Sequence, residues 1–501
     1  MKKSLLVCAL IVATLVLKSG TIDLDNLFNY ANQAIPSYIT KDNTPAHNPI
    51  TDEGATLGRV LFYDKKLSID NTVSCSNCHI QEYAFSDTNN VSIGINGNLT
   101  PRHSMRLVNA RFGAEEKFRW DETAANLEDQ MIIPIKQEAE MGYSGQNGMP
   151  SFADLISKLD STDYYPQLFT LAFGDAMITE ERMARALAQF VRSIQSFDSK
   201  YDIGRAQVAD DLTDFPNFTS DENDGKRLFI QDFQWVEDTI TVGDVPGDPG
   251  GTFDVAKRIS GGFNCATCHM PPEFDIDPNS LNNAFVRPAS NHPNEPSWLD
   301  GTRSPTLRDL IQADGVTLNG GMFHSGQAHF LQDIFGHYEF RRLDTVDNTN
   351  LDPRLTKISP TTGRRIGLLM NSNPNERQKI NAFLSTLTGT DVYTNEKWAD
   401  PFDANGQLTL TGAGVSIDGE LEDQFAFTIS PNPVVDQLTL SGKLDRCTLM
   451  IYNTRGQQIR QVALRGSSQT IDLSALKAGV YIATLQDANH RPMGTQKFIK
   501  E

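Results

Sequence analysis

Apolar residues follow two different periods along this chain. In the first 400 residues they recur at helical spacing in three stretches: TDEGATLGRVLFYD (51–64), ITEERMARALAQFVRSIQSFDSKYD (178–202) and TSDENDGKRLFIQDF (219–233). Near its start each stretch has a threonine followed by acidic residues, which is typical of a helix N-terminus. The first and third stretches are alike, so the helical region is expected to contain a duplicated unit.

Beyond about residue 400 the pattern changes to an alternation of apolar and polar residues. Runs such as QLTLSGKL (437–444) and CTLMIYNTRG (447–456) stand between Gly and Asn turns, which predicts a small β-sandwich. We therefore expect a mainly α protein with a β-sandwich at its C-terminal end. The expected division is a helical domain over 21–205, a second over 206–400, a linker over 401–424 and the sandwich over 425–501.

The first 20 residues, MKKSLLVCALIVATLVLKSG, have a different character from both regions. Two lysines precede an apolar run over residues 5–17, as in an export signal. A permanent membrane span would need about 20 apolar residues, and an uncleaved anchor helix is the alternative interpretation. We predict a signal peptide over 1–20 and an exported protein.

The net charge of the chain limits the kinds of molecule that it is expected to bind. The 501 residues include 44 Lys and Arg against 63 Asp and Glu, which gives a net charge of -19. Such a surface repels nucleic acid and argues against binding to an anionic membrane. A basic protein partner would be favoured.

Four of the six cysteines stand in two copies of the pattern CxxCH, as CSNCH (75–79) and CATCH (265–269). A structural zinc site could use both cysteine pairs but needs no adjacent histidine, and a redox dithiol would need one motif in a βαβ setting. Covalent haem attachment uses all three residues: two thioethers to the porphyrin and a histidine to the iron. We predict two c-type haems, held by Cys75, Cys78 and His79 and by Cys265, Cys268 and His269.

Further short motifs surround these anchors. They are LGRVLFYDKKLS, SIGINGNLTPR, FRWDETAANLEDQ, EAEMG, SPTLRDL and MFHSG. With them, residues 51–390 resemble the bacterial di-haem cytochrome c peroxidase family, including its MauG branch. The resemblance implies two cytochrome c-like haem domains. It also implies reduction of hydrogen peroxide at the N-terminal haem, with electrons relayed through the C-terminal haem from a small cytochrome c or another redox protein. Dimers are common in the family, so a homodimer is a candidate assembly.

The resemblance assigns three side chains to the chemistry. Trp120 would lie between the haems and pass electrons, Gln130 would orient peroxide, and Glu140 would act as the acid/base. Each has an ordinary alternative: a core tryptophan, a glutamine on a helix surface and a solvated glutamate.

Two departures from the family motifs change what is expected at the first haem. Ile95 stands where many members carry a histidine that closes the iron, so this haem should be five-coordinate or water-bound. His103 stands where members often carry an asparagine that helps to bind calcium between the domains. A calcium site would then rest on backbone carbonyls near Asn319 and Gly321.

A third departure concerns the second iron. An alignment from His324 without gaps places Tyr338 where most members carry a methionine ligand, and His337 is adjacent. Tyrosine is the residue of the MauG branch and favours higher oxidation states of iron. A peroxide-dependent oxidase of a protein side chain is therefore the alternative function, and a non-catalytic electron carrier with two six-coordinate irons is a third.

The last 75 or so residues have motifs of their own. The stretches FTISPNPVVDQLTL, YNTRGQQI and LKAGVYIATLQ resemble the type A sorting domain that type IX secretion recognises. This resemblance implies contact with the secretion machinery and delivery to the cell surface or the exterior. A carbohydrate-binding sandwich is the alternative.

Overall fold

The structure is a computed structural model. It describes residues 20–113, 117–242, 251–275, 302–339, 352–412, 427–442, 444–453, 457–486 and 492–501. All but one residue of the predicted signal peptide lies outside these ranges. The chain forms two compact units, residues 1–414 and 415–501. None of the helices within the described ranges combines the length and the apolar content needed to cross a bilayer.

The first half of the larger unit is helical. Its helices are α1 (Asp52–Tyr63), α2 (Cys75–Cys78), α3 (Leu127–Lys136), α4 (Phe152–Asp160), α5 (Tyr164–Phe173) and α6 (Glu180–Ser193). The predicted threonine caps are present: the Gly54 N–H donates to Thr51 Oγ1 at 2.9 Å, and the Arg182 N–H donates to Thr179 Oγ1 at 3.1 Å. Helices α1 and α6 pack together over an apolar core that includes Leu57 and Phe190.

The second half repeats this arrangement. Its helices are α7 (Lys200–Arg205), α8 (Ser220–Ile230), α9 (Leu331–Glu339) and α10 (Pro374–Ser385). In both halves a glycine brings two helix backbones together, because a Cβ on Gly58 would lie 2.0 Å from the Ala186 carbonyl oxygen and a Cβ on Gly225 would lie 2.0 Å from that of Lys379. The α1–α6 and α8–α10 pairs therefore share one mode of close packing, as the duplicated pattern predicts.

The second half also contains a sheet, so the prediction of a mainly α protein is not confirmed; 28% of the residues are helical. Strands β2 (Phe233–Val242), β3 (Gly251–Gly261), β4 (Thr356–Ile358) and β5 (Arg365–Leu369) form it in the order β2-β3-β5-β4. The long antiparallel pair β2–β3 leads directly into the second CxxCH motif. In the sequence, residues 241–253 are rich in Gly and Pro, which predicts a surface loop. Residues 241–242 and 251–253 belong to the strand pair, and 243–250 lie outside the described ranges.

The predicted linker over 401–424 is partly a structural element of the larger unit. Strand β6 (Thr409–Thr411) pairs in parallel with β1 (Thr21–Asp23), and Phe402 is buried in the first core. Sequence reasoning missed this because three paired residues carry too little pattern. Residues 413–426 lie outside the described ranges.

The smaller unit is built of strands, as predicted. They are β7 (Phe427–Ser430), β8 (Gln437–Gly442), β9 (Thr448–Asn453), β10 (Gln458–Ala463), β11 (Ser468–Asp472), β12 (Gly479–Gln486) and β13 (Pro492–Lys500). They form one sheet in the order β10-β9-β12-β13 and another in the order β11-β8-β7. Leu438 and Leu440 of one sheet share a buried core with Ile451 and Leu485 of the other, so the alternating residues fill a sandwich.

Candidate functional site

The first CxxCH motif is a single helical turn that fixes its histidine. The His79 N–H donates to the Cys75 carbonyl at 3.0 Å, and His79 Nδ1 donates to the Phe85 carbonyl at 3.0 Å. Ala84 and Phe85 both adopt positive φ values, which turns the chain back so that this carbonyl faces the ring. Burial lowers the pKa of His79. The imidazole is therefore neutral, and its Nε2 is the nitrogen that can bind a metal.

The second motif has the same local design. Residues Cys265–Thr267 form a 3-10 turn, and the His269 N–H donates to the Cys265 carbonyl at 2.9 Å. His269 Nδ1 donates to the Pro305 carbonyl at 3.0 Å. Burial lowers the pKa of His269 to about 4. Each motif thus presents one neutral imidazole whose orientation a backbone carbonyl sets.

The four motif cysteines are free thiols, and burial raises the pKa of Cys75, Cys78 and Cys265 to about 12. The two cysteine pairs do not meet: no group of three or more His, Cys, Asp or Glu side chains in the described part of the chain could hold a metal ion. A four-cysteine zinc site therefore does not fit. Neutral thiol pairs, each followed by an oriented histidine, fit thioether attachment of a haem.

A large cavity adjoins the second motif. Its empty space, with the open mouth included, is about 1430 Å³, and the centre of a water-sized sphere can reach about 180 Å³ of it. Its walls are mainly apolar, with Phe229, Phe263, Leu310, Ile334 and Leu384 among the lining residues. The apolar walls and the motif at one side fit a porphyrin.

Tyr338 of α9 lines this cavity together with His269. His337 is not among its lining residues; its ring packs on Phe323, with the ring centroids 4.7 Å apart. Met322 and Met370 also line the cavity. Of His337 and Tyr338, between which the alignment does not decide, Tyr338 is the one that lines the cavity. The ligand of the second iron stays a prediction.

A short segment connects the two motifs. Trp120 is buried at 8% exposure, lines the cavity, and donates from Nε1 to the His103 carbonyl at 2.8 Å. The His103 N–H donates to the His324 carbonyl at 2.8 Å, and the Trp120 and His324 rings meet edge to face at 6.4 Å. Two residues further, the backbone of Met105 faces His79. Residues 103–105 therefore run from Trp120, in the wall of the second cavity, to the neighbourhood of His79.

Glu140 lies beside the first motif. Its charge adds to burial and to neighbouring groups in raising the pKa values of Cys75 and Cys78. Burial raises the pKa of Glu140 itself, and the positive charge of Arg119 opposes this. The Ile95 N–H donates to the Glu140 carbonyl at 3.0 Å. A half-buried carboxyl with a raised pKa beside a cofactor anchor is a candidate general acid/base.

Gln130 lies in α3, and its Oε1 is a buried atom that has no hydrogen-bond partner among the described residues. Buried amide oxygens are usually paired, so this one is a candidate acceptor for a bound group.

Ile95 is fully buried, and its Cδ1 would lie 2.7 Å from a Cβ on Gly142. An apolar residue in the core cannot ligate iron.

The residues expected near calcium make other contacts, except that Asn319 Oδ1 is buried and has no hydrogen-bond partner among the described residues. His103 Nδ1 donates to the carbonyls of Asn89 and Asn90 at 3.0 and 3.1 Å, so the ring is engaged in local structure. Asn319 is fully buried, and its Nδ2 donates to the Asp309 carbonyl and to the Tyr393 hydroxyl. Calcium at the carbonyls near Asn319 and Gly321 stays a prediction.

Two arginines beside these groups were not singled out from the sequence. Arg119 directly precedes Trp120 and adopts a φ of 75°, which orients it toward Glu140 without a helix or strand to signal it. Arg106 lines the cavity of the second motif although it belongs to the first half of the chain. Arg119 is itself part of the FRWDE stretch, so the sequence contained a signal for it. The position of Arg106 in the cavity wall follows only from the fold.

Comparison with known proteins agrees with this geometry. Residues 52–208 match the family model of di-haem cytochrome c peroxidase, and residues 428–501 match that of the secretion system C-terminal sorting domain. The chain is 26% identical over 305 residues to the methylamine utilization protein MauG of Methylophilus methylotrophus, covering 59% of this chain and 75% of that protein. It is 29% identical over 185 residues to the cytochrome c peroxidase Ccp of Escherichia coli, covering 34% and 37%.

Solved structures give the same fold. A MauG-like protein associated with microbial copper homeostasis superposes with a TM-score of 0.52 at 25% identity, covering 74% of this chain and 99% of the other. The diheme peroxidase BthA from Burkholderia thailandensis gives a TM-score of 0.50 at 19% identity, covering 72% and 92%. At 19% identity, the similarity to BthA concerns the fold alone.

Proposed function

We propose that this chain, which carries a di-haem cytochrome c peroxidase domain and a type IX secretion sorting domain, reduces hydrogen peroxide to water at the cell surface or outside the cell. The proposed site is the His79 side of the larger unit. The observation that carries the proposal is that Glu140, with its raised pKa, lies beside the first haem anchor, where Ile95 supplies no ligand.

When bound, a haem at His79 supplies an iron that receives peroxide and the redox equivalents that split its oxygen–oxygen bond. Glu140 takes a proton from one peroxide oxygen and returns it to the other, which departs as water. Gln130 accepts a hydrogen bond at Oε1 and so orients the peroxide. The positive charge of Arg119 opposes the rise in the pKa of Glu140 and so favours its base form.

Two electrons must come from a donor protein through the second site. Trp120 is fixed by its hydrogen bond to the His103 carbonyl and lines the cavity beside His269. A rigid aromatic ring between two sites is suited to pass electrons without rearrangement. The acidic chain, with a net charge of -19, favours a basic donor such as a small cytochrome c.

Tyr338 favours a second candidate function. A tyrosine on the second iron would lower its potential and support oxidation of a large substrate, as the resemblance to the MauG branch implies. In that case a small reduced cytochrome would be a poor substrate, and a side chain of a partner protein would be oxidised instead.

Purified holoprotein tests the proposal. Steady-state turnover of peroxide with reduced cytochrome c should be measured for the native chain and for Glu140→Gln, with Glu138→Gln as the matched control. Glu138 lies two positions away and accepts from Ser144 and Asn147 instead of facing the haem anchor. We expect about a 10²–10⁴-fold loss for Glu140→Gln, as for other general acid/bases, and little change for Glu138→Gln. Equal activity of Glu140→Gln and the native chain would contradict the proposal.

A further inference from the structure

Arg106 reaches from the first half of the larger unit into the cavity beside His269. It is half-buried and lines the cavity, and its Nη2 donates to the Thr306 carbonyl at 2.6 Å. Nη1 contacts the sulfur of Met322 at 3.4 Å. Thr306 follows Pro305, whose carbonyl orients His269. Arg106 therefore lies close to the histidine that would hold the second iron.

The charge of Arg106 has no close counter-ion, unlike those of the other arginines in the cavity wall. Arg303 pairs with Asp275 at 3.3 Å and Arg354 pairs with Asp352 at 2.6 Å. No carboxylate of the described residues lies within 4.0 Å of Arg106, and its Nε is buried without an acceptor. A desolvated guanidinium without an anion is costly. The wall thus presents an unmatched positive charge to whatever the cavity binds.

The nearest acidic group does not fill this role. Asp309 influences the charge of Arg106 only from beyond ion-pair distance. Its Oδ1 accepts from the Gly389 N–H at 2.9 Å and from the Tyr393 hydroxyl at 3.0 Å. Burial raises the pKa of Asp309. No carboxylate of the described residues is left to serve as the close counter-ion of Arg106, which points to a bound group.

We propose that Arg106 is a positioning residue that binds a propionate carboxylate of the haem anchored at His269. This inference rests on the haem content of the proposed function. The propionates are the only anionic groups of a haem, and a guanidinium fork matches a carboxylate. The contact turns the propionate edge of the second haem toward the segment that carries His103, and so toward Trp120. The same positive charge stabilises the reduced iron and raises its potential.

Three holoprotein variants test the inference: Arg106→Gln removes the charge, Arg106→Lys keeps it, and Arg354→Gln removes a lining arginine that already has Asp352. The midpoint potential of each haem is measured by spectroelectrochemistry in resting protein without peroxide. We expect Arg106→Gln to lower the reduction equilibrium constant of the second haem about tenfold, a shift of about 59 mV for one electron. The first haem should be unchanged, and Arg106→Lys should keep most of the native potential.

Resonance Raman spectra supply a second readout that a purely structural role would not move. The propionate bending band of the second haem should shift in Arg106→Gln and, by a smaller amount, in Arg106→Lys. Unchanged bands in both variants, or a larger potential shift in Arg354→Gln than in Arg106→Gln, would overturn the inference. If Arg106→Gln does not fold, the Arg106→Lys band decides alone. Haem content, by the pyridine haemochrome assay, separates failure of this contact from failure of the proposed function.

Discussion

The close approach of α1 and α6 gives a prediction whose size follows from the structure. Gly58→Ala adds a Cβ 2.0 Å from the Ala186 carbonyl oxygen, where ordinary contact begins at 3.4 Å. The helices must therefore separate by up to about 1.4 Å, the difference between these distances. The contact is with backbone, so no side-chain rotation can relieve it.

Overpacking of this kind costs about 1–3 kcal/mol or more, and the better helix propensity of alanine offsets about 1 kcal/mol of that. We expect Gly58→Ala to lower the free energy of unfolding by about 2 kcal/mol, taking the upper part of that range because the clashing atom is backbone. Gly225→Ala should behave alike, since its Cβ would lie 2.0 Å from the Lys379 carbonyl oxygen.

Gly336→Ala in α9 is the matched control, because no heavy atom of the described residues outside the neighbouring backbone of α9 lies within 4 Å of the added Cβ. It should stabilise the protein by about 0.5–1 kcal/mol. Guanidinium denaturation followed by far-ultraviolet circular dichroism measures all three variants. A Gly58→Ala protein as stable as the Gly336→Ala protein would refute the reasoning, since the glycine would then serve no packing purpose.

Three further predictions concern the site. Burial raises the pKa of Glu140 above 4.5, so its base form is lost as the pH falls through that raised value. The kcat/KM for peroxide should therefore decrease on the acid side, with a midpoint above pH 4.5. Glu140→Gln should remove this pH dependence. Trp120→Phe deletes the hydrogen bond to the His103 carbonyl; it should cost about 1 kcal/mol of stability by thermal denaturation and slow electron transfer between the haems in stopped-flow experiments. Tyr338→Phe should change the electron paramagnetic resonance signal of the second haem, whereas His337→Phe should not; the reverse result would move the ligand to His337.

Local patterns in the sequence were sufficient to predict the two CxxCH haem anchors and the residues at which helices begin. The threonine caps of α1 and α6 depend on contacts within three residues, and CxxCH defines its chemistry within five. The alternation of Leu438 and Leu440 likewise predicted the sandwich, since one face of each strand is buried. Features that depend on residues close together in the sequence could therefore be predicted from it.

Features that depend on residues far apart in the sequence could not be predicted from local patterns. The β2–β3 pair is half-exposed, so its strands lack a continuous apolar run, and a Gly and Pro stretch hides the pairing. The relation of Arg106 to the cavity depends on the fold bringing residue 106 to residues 305–306. The residues next to Arg106 in the sequence, Met105 and Leu107, give no sign of that proximity.

The parallel pairing of β1 and β6 also bears on maturation. Thr411 Oγ1 donates to the Ile22 carbonyl at 3.4 Å across 389 positions, so the first and last strands of the larger unit are neighbours. A protease that detaches the sorting domain leaves this pair intact only if it cuts after Thr411. Processing nearer the α10 end would strip Phe402 and Trp398 from the first core and expose apolar surface on the released enzyme.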